Sequence, residues 1–250
     1  MNGTVLVGGA GLIAGTMNAL VGGGTFVTLP ALIAAGVPSV QANTSSTVAL
    51  YPSQLVSAWI YRDGFKPLSG VSMRALLIAT LLGGAAGAIL LLNTSSKAFD
   101  QALPWLMLIA TLMLMFGRQL GEWLRRRVHI GPRSVIGVQS VLGIYGGYFG
   151  GAVGIMMMAA WGLLSDRDIK DMNAPRTLLV GSANTVAVGI FIAARSVYWP
   201  EAVTLLLGAI AGGLLGAWIG RRAPARVVRA VTLTVACGIT VAFFVKAYGL

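Results

Sequence analysis

The chain has 250 residues, is 56% hydrophobic and only 10% charged, with mean hydropathy +0.82, whereas a soluble domain carries roughly 25% charge. A soluble core of this size cannot hide so much apolar surface, which leaves a polytopic membrane protein. The net charge of +11, from 18 Lys and Arg against 7 Asp and Glu, suits basic loops meeting anionic lipid. The aromatic-interleaved basic patches that single strands need are absent, so no nucleic-acid partner is expected.

In chain order, apolar segments are predicted at 3–21, 24–36, 40–61, 71–92, 101–118, 134–150, 152–165, 174–194, 200–220 and 227–247. Most are about 18–22 residues, enough to span a hydrocarbon core of ~30 Å. The N-terminus lacks a basic leader region, so the first run is expected to be mature structure. Segments 24–36 and 152–165 are too short to span comfortably, and each is expected to be a half-helix. Gly11, Gly15 and Gly22-Gly23-Gly24 precede the first. Gly143, Gly147, Gly150, Gly151 and Gly154 surround the start of the second. Glycine-interrupted segments at corresponding places in two halves point to a transporter's binding site.

The duplication extends past the glycines. Asn43-Thr-Ser-Ser-Thr47 aligns with Asn173-Ala-Pro-Arg-Thr177, and Gly83-Gly84-Ala-Ala-Gly87-Ala88 with Gly212-Gly213-Leu-Leu-Gly216-Ala217. Loops 62–74, 118–133, 166–176 and 221–229 hold fifteen of the 18 basic residues, leaving Lys97, Arg195 and Lys246 elsewhere. The positive-inside rule puts those four loops in the cytoplasm. Each half is then a two-part hairpin followed by three crossings, and the second half is inverted. The expected fold is an all-α polytopic membrane protein of two inverted-topology repeats. Residues 1–118 form the first, 119–133 a basic cytoplasmic linker and 134–250 the second, with both termini outside. The stripes Gly208, Gly212, Gly216, Gly220 and Gly143, Gly147, Gly151 recur every four residues, and close helix packing is their preferred explanation.

Catalytic chemistry has little to work with. His129, the only histidine, lies in the linker, and the carboxylates Asp63, Asp100, Glu122, Asp166, Asp168, Asp171 and Glu201 fall in or beside loops. No nucleophile–base set or metal-ligand spacing exists, so no enzyme and no metal are expected. Cys237 and the Met156-Met157-Met158 run are expected to pack in the core. What the membrane does hold is neutral polarity and glycine.

A helix that starts in mid-membrane presents free N–H groups and a positive dipole end, and glycine lets a ligand approach those amides. Two such starts, near Gly24 and Gly154, would form a small anion site. The candidate contacts are Asn18, Gly22, Gly23, Gly24, Thr25, Asn43, Ser46, Tyr148, Gly154, Asn173, Arg176 and Asn184. Asn173 is expected to cap its helix with Pro175 in the first turn, leaving Arg176 near the cytoplasmic face as a gate or anion contact.

The GGG break, the second break Gly146-Gly147-Tyr-Phe-Gly150-Gly151 and a GGxxGA helix in each half resemble the sulfite exporter TauE/SafE family over nearly the whole chain. The resemblance implies a bacterial inner-membrane permease for sulfite, sulfonates or related sulfur-containing organic anions, with no prosthetic cofactor. Where the family often carries a Gly-x-Gly-Gly-Gly break in both halves, this chain keeps only Gly154 before Ile155-Met156, which suits a substrate with an organic end. The expected partners are a small anion and the lipid bilayer, with homo-oligomerisation compatible. The alternative is a structural or sensory membrane subunit that binds a partner through its Gly-rich helix faces.

Overall fold

The computed structural model describes residues 2–20, 23–60, 71–125, 132–151, 153–164, 169–220, 222 and 224–249. Gly22, His129, and the carboxylates Asp63, Asp166 and Asp168 lie outside these residues. Every element among them is helical: α1 Asn2–Leu20, α2 Thr25–Ala34, α3 Ser39–Ile60, α4 Met73–Leu92, α5 Ser96–Arg125, α6 Pro132–Tyr148, α7 Val153–Leu164, α8 Ile169–Ala193, α9 Trp199–Gly220 and α10 Ala225–Tyr248. Each predicted segment has its helix. Six stretches are long and apolar enough to cross a bilayer: Gly3–Leu20, Met73–Leu92, Ser96–Gly117, Pro175–Ala193, Trp199–Gly216 and Arg226–Tyr248. The short helices are α2 and α7, of 10 and 12 residues. Large apolar side chains such as Val5, Leu82, Leu207 and Leu214 stand exposed on the outside of the bundle, as lipid-facing residues do.

Packing follows the glycines. α1 lies along α9, and α4 along α6. A β-carbon on Gly15 would sit 2.1 Å from the Ala209 carbonyl oxygen, and one on Gly212 1.9 Å from that of Leu12. At the other crossing, a β-carbon on Gly147 would sit 2.0 Å from the Gly84 carbonyl oxygen and one on Gly87 2.1 Å from that of Ile144. Backbones this close exclude any side chain larger than hydrogen, which is how small-residue faces hold helices together in lipid. Further contacts join α2 with α10 and α5 with α7, α3 with α9 and α4 with α8, α3 with α8 and α5 with α10, while α6 with α8 and α3 with α5 add contacts of their own. Direct bonds that join residues about half a chain apart include Asn184 Nδ2 to Gln54 Oε1, Thr111 Oγ1 to Thr240 Oγ1 at 3.0 Å and Tyr51 OH to Thr185 Oγ1 at 2.7 Å.

The fold corrects three expectations. α8 begins at Ile169, so Pro175 lies inside it and Asn173 is not its N-cap. A membrane helix tolerates an interior proline because neighbouring groups re-satisfy the freed carbonyl, and Arg176 stands two turns into the helix instead of in its first. α5 begins at Ser96, where the Ser95 hydroxyl accepts the Ala98 N–H at 3.3 Å and starts the helix early. Gly151 leaves the Gly143–Gly147 stripe, because α6 stops at Tyr148 and a β-carbon on Gly151 would meet the Phe149 ring. Gly83 and Gly87 pack on Ser140 and Ile144 as Gly208 and Gly212 pack on Gly8 and Leu12.

Candidate functional site

The first break separates α1 from α2. Gly23 takes φ +87°, a left-handed conformation open to glycine, and Gly24 leads into the helix. Asn18, near the end of α1, accepts the Gly24 N–H on its Oδ1 at 2.8 Å. α2 thus has a cap reaching back across the break, because Gly24 has no side chain to supply one. A turn into α2, buried Thr28 meets buried Ser46 of α3, oxygen to oxygen at 2.5 Å. Thr25, in the first turn, is buried as well.

The second break separates α6 from α7. The pivot is Gly150, at φ +73°, whose N–H reaches back to the Tyr145 carbonyl. Gly154 falls in the first turn of α7, facing α8: a β-carbon there would lie 3.6 Å from Arg176 Cδ and 3.8 Å from its Nε. α7 is anchored from behind. Trp161 donates its indole N–H to Gln139 Oε1 at 3.1 Å, and Gln139 donates to Thr80 Oγ1 at 2.7 Å, a buried chain through α7, α6 and α4. A buried network of this kind holds α7 rigidly against α6 and α4. Of the methionine run, Met157 packs fully buried in the same cluster with Met156 partly buried against it, and the Met158 side chain lies outside the described residues.

The run Asn43–Thr47 of α3 touches both breaks. Asn43 donates Nδ2 to the Tyr148 carbonyl at 2.9 Å. Ser46 meets Thr28 of α2, and Thr47 Oγ1 would lie 3.2 Å from a β-carbon on Gly150. The two residues between seal one end of the bundle: Thr44 donates to the Ser196 carbonyl, and Ser45 Oγ accepts the Tyr198 N–H at 2.9 Å. Ser39 to the Ser96 carbonyl (3.3 Å) and Tyr148 to Thr94 (3.4 Å) add ties at the same end.

Of the expected contacts, the structure gathers Asn18, Gly23, Gly24, Thr25, Asn43, Ser46 and Tyr148 around the breaks and α3, and sets Gly154 beside Arg176. Asn184 stands apart at the α3–α8 crossing, paired with Gln54. Asn173 lies on α8 with its side chain outside the described residues. Thr28, Thr47 and Gly150 join the site without having been singled out as contacts. Thr28 is one turn from Gly24 and so shares its face, a spacing that could have found it. Among the described residues no group of three His, Cys, Asp or Glu comes together to hold a metal.

The family profile described as "Sulfite exporter TauE/SafE" matches residues 7–243. The chain is 27% identical to the "Probable membrane transporter protein YfcA" of Escherichia coli K12 over 205 residues, 82% of this chain and 76% of that protein. It is 28% identical to a "Probable membrane transporter protein" of Haemophilus influenzae over 208 residues, 83% of this chain and 81% of that one. No solved structure matches the chain.

Proposed function

The chain belongs to the TauE/SafE sulfite exporter family of membrane transporters, and from that premise we propose that it is a secondary carrier of small sulfur-containing anions, sulfite or an organic sulfonate. The anion binds between the two broken helices. The observation that carries this reading is that one motif, Asn43–Thr47, contacts both breaks. The N-termini of α2 and α7 aim partial positive charge toward it. Gly23, Thr25, Thr28 and Ser46 offer amide and hydroxyl donors from one half, and Gly24, its N–H held by Asn18, offers space. Gly154 and Arg176 offer space and a guanidinium from the other, suited to an oxyanion. Asn18 serves by capping α2, and Tyr148 by closing the end where Thr94 lies.

We infer two inverted repeats, residues 1–118 and 134–250, joined by the basic linker 119–133. The support is a pairing pattern that survives exchange of the halves: α1 with α9 and α6 with α4, α2 with α10 and α7 with α5. Loop charge orients both termini outward in a bacterial inner membrane. The hydroxyl ties of Thr44 and Ser45 then close the periplasmic end, and alternating access exchanges that closure for one at the other end. Against the alternative of a partner-binding subunit stands the packing of Gly208, Gly212 and Gly216, and of Gly143 and Gly147, on neighbouring helices of the same chain.

The test is flux of radiolabelled sulfite and of alkyl sulfonates in proteoliposomes, with Gly154→Leu beside the native chain. Saturable flux of one of these anions, abolished by Gly154→Leu in a folded protein, is expected. Full flux through Gly154→Leu removes the site between the breaks from the account.

A further inference from the structure

We propose that the junction of the α6 C-terminus with α3 binds an alkali-metal cation such as Na⁺, held by Asn43, Thr47 and the end of α6. Asn43 is 1% exposed. Its Nδ2 donates to the Tyr148 carbonyl, which fixes the amide orientation, because the flipped amide would press two oxygens together. Its Oδ1 is fully buried and has no hydrogen-bond partner among the described residues. An unpaired buried acceptor carries the cost of its lost hydration, so the site calls for an occupant that is a donor or a cation. An oxyanion is neither, which removes Asn43 from the anion's own contacts.

The surroundings select between the two. α6 ends at Tyr148, and the last carbonyls of a helix carry partial negative charge without helical partners. Thr47, one turn from Asn43, gives its proton to the Asn43 carbonyl at 2.9 Å and so turns oxygen lone pairs toward its other neighbours, Gly150 among them. The set is oxygen throughout, with backbone and neutral side chains and no carboxylate. Hard cations take oxygen ligands, and divalent ones draw carboxylates, so a neutral set favours a single charge. Helix C-termini at interrupted membrane segments coordinate Na⁺ in carriers by the same physics. Asn184 Oδ1 is also buried and unpartnered, but it lies in mid-helix with no helix end beside it and assigns nothing. The inference rests on the carrier reading for its purpose: a bound cation beside the anion offsets the anion's charge during passage.

The experiment uses the full chain in lipid nanodiscs. Thermal unfolding is followed by tryptophan fluorescence in NaCl, KCl and choline chloride at equal ionic strength, with no sulfur anion present. A saturable rise in Tm with NaCl or KCl over choline chloride is expected. Asn43→Leu should abolish it, and Thr47→Val should weaken the apparent cation affinity roughly tenfold. If Asn43→Leu does not fold, Thr47→Val decides. The same Tm in all three salts, as a buried water at Asn43 would give, overturns the cation site. So does a cation response that Thr47→Val leaves unchanged. Anion flux on the same preparation keeps the two readings apart. Flux with no cation effect on Tm sinks the cation site alone, whereas a cation effect without flux of any tested anion upholds the cation site and sinks the carrier reading.

Discussion

Residues 43–47 and 173–177 begin with Asn, end with Thr and differ at every position between, Thr-Ser-Ser against Ala-Pro-Arg. In α3 the three hydroxyls are all engaged: Thr44 and Ser45 tie to the turn after α8, and Ser46 ties to α2. In α8, Ala174 and Pro175 have no hydroxyl to tie with, and Arg176 stands against Gly154 of α7. The two runs serve different purposes. Residues 43–47 close an end of the bundle and hold the short helix α2. Residues 173–177 bring a charge to the start of α7. The end near Ser196 is held by side-chain hydrogen bonds from Thr44 and Ser45, positions at which residues 173–177 carry Ala174 and Pro175.

The largest effect should come from the frame common to both motifs. Gly15→Leu and Gly147→Leu each drive a side chain into a facing backbone about 2 Å away. Neither variant should give a monodisperse folded peak on size exclusion, and the two should fail alike. Failure in one half only would break the equivalence on which the comparison stands.

Next comes the charge. Arg176→Ala removes a guanidinium whose hydrogen bonds to an anion are worth about 1.5–3 kcal/mol, so sulfonate affinity measured by calorimetry should fall roughly tenfold to hundredfold. Ser46→Ala removes a neutral partner worth about 1 kcal/mol, a loss of roughly fivefold. Equal losses at the two positions would contradict the assignment of charge to one half and hydroxyls to the other. Smallest is Asn18→Ala, which uncaps α2 and should lower unfolding stability by about 1 kcal/mol in a denaturant titration. Stability unchanged by that substitution would mean that Gly24 does not depend on Asn18.

Much of this architecture was legible in the sequence. Ten apolar runs became ten helices, and the two short runs became the two helices that follow glycine breaks. Length and hydropathy carry that information locally. Which backbone each glycine meets did not come through, because a stripe of period four looks nearly the same after a shift of one turn. Only coordinates place Gly83 against Ser140 and Gly208 against Gly8. The cap on α2 was hidden for a similar reason. Asn18 and Gly24 are six residues apart across a break, a separation that no helical periodicity relates. Asn173-Ala-Pro looked like a helix start because Asn and Pro favour one, yet α8 runs through it. The role of Asn43 needed coordinates, since which amide atom is left over depends on where the Tyr148 carbonyl lies.

The account is tested most directly by locating the anion itself. Crystals of the protein soaked with a bromoalkyl sulfonate and measured at the bromine absorption edge should show one strong anomalous peak between the two breaks, within contact of Gly154, Arg176, Ser46 and Thr28. Bromine found only at the basic loops or at the lipid-facing surface, with the space between α2 and α7 closed by protein, contradicts it.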